Sequence, residues 1–301
     1  MTLPAVVLPR RLSVKAKVGA YVALTKPRII ELLLITTLPT MIVAKRGLPP
    51  VGLMLATLLG GALAAGGANA INMVVDRDID KLMHRTRNRP LATGVISPRG
   101  ALIFAISLEV LAFVELWGWV NLLSAALAVS ATLFYVFVYT LWLKRTSSQN
   151  IVIGGAAGAV PVLVGWAAVT GSLSWTPVVL FAIIFVWTPP HFWALAVKYK
   201  DDYQAASVPM LPAVATFKRT AREILLYSVV LVGISLLLAA VAKLGAIYIV
   251  SASVLGVIFV ALALRLWHRA TPKAAMQLFS YSITYLTLLF VLMAVDIFTK
   301  H

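Results

Sequence analysis

Apolar residues run through this chain in long blocks, separated by short polar links at fairly regular intervals. A helix of about 20 apolar residues crosses the ~30 Å hydrocarbon core of a bilayer. The pattern predicts nine such helices, over residues 28–45, 51–75, 101–120, 122–143, 150–170, 175–198, 223–242, 246–266 and 278–299. Ahead of them, residues 1–27 read as a basic arm with a surface-lying helix that ends at Lys26-Pro27, leaving residues 28–301 as the transmembrane domain. The expected fold is an all-α integral membrane bundle. On one side of it the links are short. On the other, residues 76–100 and 199–222 form two long loops, and long loops in a compact protein are more often functional than not.

The two loops share a pattern: Asp80 precedes Pro90 by ten residues, and Asp202 precedes Pro212 by ten. A duplicated helical unit would account for this, with the second and sixth spans as counterparts. Glycines cluster at Gly60, Gly61, Gly66 and Gly67, and again at Gly154, Gly155, Gly158 and Gly165. Neither cluster has the form of a phosphate loop. Both read as small faces for close helix packing, with Gly154 and Gly158 at small-xxx-small spacing. Trp117, Trp119, Trp166 and Trp175 fall near the ends remote from the long loops, as an aromatic belt requires.

Composition agrees with the pattern. A chain that is 61% hydrophobic and 12% charged is too apolar for a soluble domain. With no cysteine, disulfides, thiolate metal sites, Cys nucleophiles and covalent c-type heme attachment are excluded. The formal charge of +16 is organised by side: of 26 Lys and Arg, only Lys45, Arg46, Lys243 and Lys300 fall on the short-link side. That asymmetry is the positive-inside rule, which puts the N-terminus in the cytoplasm and the C-terminus outside a multi-pass cell (inner) membrane protein. The basic excess is then topology and calls for no nucleic acid.

Three constellations carry chemistry, all at the long-loop side. Asn72, Asp76 and Asp80 lie four apart and so stack on one helix face, ringed by Arg77, Lys81, Arg85, Arg87 and Arg89. Carboxylates so close to hydrocarbon need a partner or a task. Asp78 lies about 200° round from Asp76 and is assigned to loop contacts. The second is Trp187-Thr188-Pro189-Pro190-His191-Phe192-Trp193, where two prolines should bend the helix and free carbonyls near 185–186. From it, His191, Lys198 and Asp202 follow on one face, with Asp201 turned away. The third is Tyr139 through Thr146, with Lys144 and Arg145 at a helix end; Lys26 and Arg28 lie at the same level. Asn72, Asp76, Asp80 and Asp202 would suit Mg²⁺ carrying a diphosphate, because this hard ion takes few protein ligands and keeps phosphate oxygens. Metal and cations would stabilise a departing pyrophosphate, leaving an allylic carbocation between apolar walls.

At these residues the chain resembles the UbiA superfamily of intramembrane prenyltransferases, whose Asn-x-x-x-Asp-x-x-x-Asp motif matches Asn72, Asp76 and Asp80. The likeness is closest to the branch that farnesylates protoheme IX. It is carried by Asp76–Asp80 with Arg85-Thr86, Tyr139–Thr146, Asn150–Gly158, Trp187–Trp193, and Asp202-Tyr203 leading to Pro209–Pro212. The resemblance implies a nine-helix bundle that moves farnesyl from farnesyl diphosphate to a vinyl group of heme B, giving heme O. Onward delivery to heme A synthase or terminal oxidase assembly is also implied. In that reading Asn72, Asp76 and Asp80 hold Mg²⁺–diphosphate, while Lys144 and Arg145 grip the phosphates, joined by Arg28, Arg85 and Arg89. Quinone-type members carry a second Asp-x-x-x-Asp, whereas here Lys198 stands four before Asp202. That departure fits a different acceptor, with His191 facing the porphyrin as iron ligand or as base. Rival readings are a quinone- or chlorophyll-type prenyltransferase and a transporter.

Overall fold

A computed structural model describes residues 13–299, apart from the side chains of residues 28, 29 and 32–34. The chain is helical throughout: α1 Val14–Thr25, α2 Pro27–Lys45, α3 Val51–Val75, α4 Arg77–Leu82, α5 Pro98–Trp119, α6 Leu122–Thr146 and α7 Asn150–Thr170. The series continues with α8 Trp175–Lys198, α9 Lys200–Ala205, α10 Leu211–Val214, α11 Phe217–Val241, α12 Ala246–Arg269 and α13 Pro272–Thr299. Among the described residues eight helices are long and apolar enough to cross a membrane. The 19-residue α2 occupies the place of the first expected span. Several helices begin before the apolar block does. α11 starts at Phe217, where a span was expected from 223, because the Thr216 hydroxyl caps the Arg219 N–H at 3.3 Å and lets a charged first turn form. Hydropathy marks the membrane-embedded part of a helix, and capping marks its end.

Helix α1 is capped by Ser13, whose side chain accepts from Ala16 N–H at 3.2 Å. It lies against the bundle: Leu24 is buried with Ala70, Met73, Leu91, Ile96, Ala101 and Ala105, and Tyr21 meets Phe104 edge-on. It ends at Lys26 in the left-handed conformation, φ 53°, and Pro27 opens α2.

Within a bilayer, helices associate through close packing and buried polar contacts. Both are present. A Cβ on Gly67 would sit 3.0 Å from the Ala105 carbonyl oxygen, so only glycine lets α3 approach α5 this closely. Gly154 similarly makes room for the Tyr139 ring and Gly155 for Thr188, whereas Gly158 faces open space and is exposed. The packing pair is therefore 154 and 155, and the expected 154/158 spacing is not what the helices use. In the C-terminal half, Tyr248 Oη donates to the Ser235 carbonyl at 2.8 Å and Tyr285 Oη pairs with Ser235 Oγ at 2.8 Å. Pro189 and Pro190 lie inside α8, which runs through both as one helix.

At the end remote from the long loops, Asp296 is buried on α13 and accepts from the N–H groups of Gly245 and Tyr248. It caps α12 from another helix, satisfying donors that an N-terminus leaves open. Asp296→Ala strands the buried Tyr248 N–H and the half-buried Gly245 N–H, so thermal unfolding in detergent should show a loss of about 1–3 kcal/mol. Asp296→Asn, which keeps an acceptor oxygen, should lose less.

Candidate active site

Asn72 lies in the last turn of α3, Asp76 at the joint between α3 and α4, and Asp80 in α4. Bonds from Asp76 N–H to Asn72 O (2.9 Å) and from Asp80 N–H to Asp76 O (2.8 Å) carry helical register through the joint. The three side chains therefore stay stacked as the spacing predicts, and all are buried, at 3%, 0% and 2% exposure.

Each carboxylate is neutralised. Lys144 Nζ bonds to Asp76 Oδ2, and Asn72 Nδ2 donates to the same oxygen at 2.7 Å. Arg89 Nη1 reaches both oxygens of Asp80 at 2.9 Å. Arg145 holds Asp78 through two 2.7 Å bonds, and those bonds draw the Asp78 pKa down to about 2. Asp78 is thus engaged by the end of α6, off the Asn72–Asp76–Asp80 stack. Lys26, half-buried at its left-handed turn, donates to Asn72 Oδ1 at 2.9 Å. Burial lowers its pKa to about 7, helped by the charges of Arg89 and Lys144 and opposed by Asp76 and Asp80. An anion arriving beside it would raise that value.

Lys144 and Arg145 reach this cluster because α6 is not an α-helix along its whole length. From Phe134 to Leu143 it is a ten-residue π-helix, a form that concentrates at functional sites. Thr140 Oγ1 donates five residues back to the Tyr135 carbonyl at 2.8 Å and accepts from Asn72 Nδ2 at 3.2 Å. Tyr135 and Tyr139 stack beside it with centroids 5.3 Å apart. The sequence places Thr140 inside the Tyr139–Thr146 stretch and Lys26 level with the acids, but no residue spacing gives the bond of either to Asn72.

Asp202 lies on the facing loop, where Oδ2 accepts from the Arg85 backbone N–H at 3.1 Å. That bond and an apolar cluster of Ile79, Met83, Tyr203, Ala206, Val208 and Met210 join the two long loops. The second and sixth spans are each followed by a six-residue helix, α4 and α9, at the starts of these loops. Arg85 and Lys198 are exposed, and their charged groups lie 5.7 and 5.5 Å from the Tyr199 ring centroid. The Arg28 side chain lies outside the described residues.

One expectation is corrected. Helix α8 stops at Lys198, so Asp202 does not continue the face that carries His191. Among the described residues no three His, Asp or Glu side chains gather closely enough to share an ion, so Asp76, Asp80 and Asp202 stand apart from one another. The local reason is charge pairing, since Arg89 and Lys144 hold Asp80 and Asp76, while Asp202 faces the Arg85 N–H. Asp76 Oδ1 is buried without a hydrogen-bond donor, and Arg145 Nη2 lies 3.9 Å from it.

His191 is buried between Trp187 and Phe279, stacked on the indole at 4.2 Å. Its Nδ1 lies 2.6 Å from Ser282 Oγ, and that hydroxyl donates to the Phe279 carbonyl at 2.6 Å. With the Ser282 proton on that carbonyl, the matching tautomer of His191 has Nδ1–H donating to Ser282 and a lone pair on Nε2.

Residues 33–292 match the UbiA prenyltransferase family. The chain belongs to that family. Within it, the chain is 53% identical over 292 residues to Protoheme IX farnesyltransferase of a Nocardioides species, covering 95% of this chain and 93% of that protein. It is 54% identical to Protoheme IX farnesyltransferase of Streptomyces avermitilis, covering 95% of each. The UbiA fold is matched by solved structures as well. A structure of digeranylgeranylglyceryl phosphate synthase superposes with a TM-score of 0.78 at 18% identity, over 94% of this chain and 99% of that one. A UbiA homolog from Archaeoglobus fulgidus bound to GPP and Mg²⁺ gives 0.60 at 17%, over 91% and 99%.

Gly154→Ala would place a Cβ 2.3 Å from Tyr139 Cδ2 and push the ring out of the π segment. Overpacking of this kind costs about 1–3 kcal/mol. Thermal unfolding should show that loss, and turnover should fall with it, because Lys144 hangs from the same segment. Gly158→Ala, facing open space, should change neither.

Proposed function

We propose that this chain transfers the farnesyl group of farnesyl diphosphate to a vinyl group of heme B and adds water, giving heme O and diphosphate. The observation that carries this is more than half identity, over nearly the whole length, to proteins named Protoheme IX farnesyltransferase. The buried Asn72–Asp76–Lys144 lattice supplies the matching chemistry.

The carbon–oxygen bond of farnesyl diphosphate breaks with its electron pair leaving on the diphosphate. The terminal vinyl carbon then bonds to the farnesyl carbon, the adjacent carbon takes the positive charge, and water captures it with loss of a proton. Lys144, Arg145, Arg89 and Lys26 would bind the leaving diphosphate, shifting from protein carboxylates to phosphate oxygens. Such donors, fixed before reaction, stabilise charge as it develops. Arg85, whose guanidinium is exposed at the loop junction, would add to this field, as would Arg28.

The site suits a divalent cation, because the unpartnered Oδ1 of Asp76 is an acceptor with no donor. Asp76, Asp80 and the Asn72 amide oxygen would hold Mg²⁺, with Asp202 contributing from the facing loop. When bound, Mg²⁺ neutralises part of the diphosphate charge. Lys198 would act at the loop surface, near Tyr199 and apart from the reacting carbons. His191 keeps a free Nε2 in an aromatic slot, which supports a role as heme-iron ligand or as acceptor of the water proton.

In this reading α2 is the ninth span and residues 28–301 form the transferase domain, with the 1–27 arm contributing Lys26. The N-terminus and the site face the cytoplasm and the C-terminus lies outside, since only four of the 26 Lys and Arg fall at the opposite end. Heme B and farnesyl diphosphate are the substrates, and heme O passes onward to heme A synthase or oxidase assembly.

Membranes containing the protein, given heme B, farnesyl diphosphate and Mg²⁺, should form heme O detectable by mass. Product formed instead with an aromatic acid would assign the chain to quinone-type chemistry. Asp76→Asn and Asp80→Asn should each cut turnover by about 100-fold or more while folded protein persists; full activity in either would refute the metal assignment. His191→Ala should weaken heme binding in a Soret titration if Nε2 ligates iron, and leave it unchanged if the residue serves only as a base.

A further inference from the structure

Cations that neither the carboxylate lattice nor the two loops use gather where α11 begins and α12 ends. Lys218, Arg219 and Arg222 on α11 and Trp267 on α12 line, with Thr216, a cavity of about 310 Å³. Between residues 216 and 273 the one carboxylate is Glu223, already paired with Arg222 at 3.1 Å. Among the described residues no acid pairs with Lys218 or Arg219. Arg265, Arg269 and Lys273 on the adjoining helix ends add to the positive field.

What lies beneath the cations names the ligand. Arg222, Leu226, Val229, Gly233 and Leu237 share an arc of about 80° on α11. Leu226, Val229 and Leu237 are more than half exposed, and Leu264 sits one turn below Trp267 with its side chain partly open. A cationic cavity therefore stands directly above an apolar wall that would face acyl chains. Lys and Arg form their strong hydrogen bonds to phosphate oxygens, an indole sits well at headgroup depth, and basic pockets between membrane helices take anionic headgroups. A zwitterionic lipid would bring its ammonium among three cations.

We propose that this cleft binds the headgroup phosphate of an anionic phospholipid, whose acyl chains lie along the outer faces of α11 and α12. The protein purified in detergent should gain thermal stability with phosphatidylglycerol, and not with phosphatidylcholine or inorganic phosphate at the same concentration. Native mass spectrometry should find phosphatidylglycerol retained on the wild type and one fewer copy per chain on the Lys218→Gln/Arg222→Gln variant. Both substituted side chains are exposed, so the variant should keep its lipid-free melting temperature and its farnesyl transfer in detergent. The proposal is overturned if phosphatidylcholine stabilises equally, if inorganic phosphate reproduces the shift, if the wild type retains no phosphatidylglycerol, or if the variant retains as much.

Discussion

Asp76 has no surface in water, and the loop end of the bundle is built around keeping its charge. An isolated ion at such a place costs several kcal/mol, and stripping one partner from a buried pair costs about 3–5 kcal/mol. Lys144 from α6 and Asn72 from α3 meet that demand, with Arg145 a further cation at the edge. Because Lys26 bonds to the same Asn72, the α1–α2 turn is fixed as well. One carboxylate thus sets the register of elements far apart in sequence.

The same pairing explains why the site can hold itself together before substrate arrives. Asp76, Asp78 and Asp80 face Lys144, Arg145 and Arg89, with Lys26 close by. These bonds are charge-assisted, and a diphosphate offers the cations oxygens of the same kind. The two long loops are joined mainly by apolar side chains and one backbone bond to Asp202. The carboxylate lattice is held by charge-assisted bonds, and the loops beside it by weaker contacts.

How much of this was legible depended on whether a position obeys regular helix geometry. Asn72, Asp76 and Asp80 could be read at once, since four-residue spacing stacks side chains and the helical bonds continue through the joint. The membrane helices followed from apolar runs, with ends displaced wherever a cap such as Thr216 extended the helix. Lys144 and Arg145 could be read only as a basic helix end level with the acids, and the family resemblance gave them their role; the backbone that delivers them is a π-helix, which no local residue pattern announces. Lys26 depends on a left-handed turn and Asp202 on a backbone donor from another loop, and neither is written in side-chain spacing. The His191–Lys198–Asp202 face failed because a helix was extended past the point where it stops.

The wide turn in α6 also sets a conflict between durability and chemistry. Removing one residue between 134 and 143 would favour ordinary α geometry, with better hydrogen bonds and a sturdier rod. It would also undo the reach of Thr140 five residues back to the Tyr135 carbonyl, and with it the contact Thr140 makes to Asn72 beside Asp76. Breeding this protein for heat tolerance alone would therefore reward shortening that very stretch, and the survivors would be robust bundles unable to turn over.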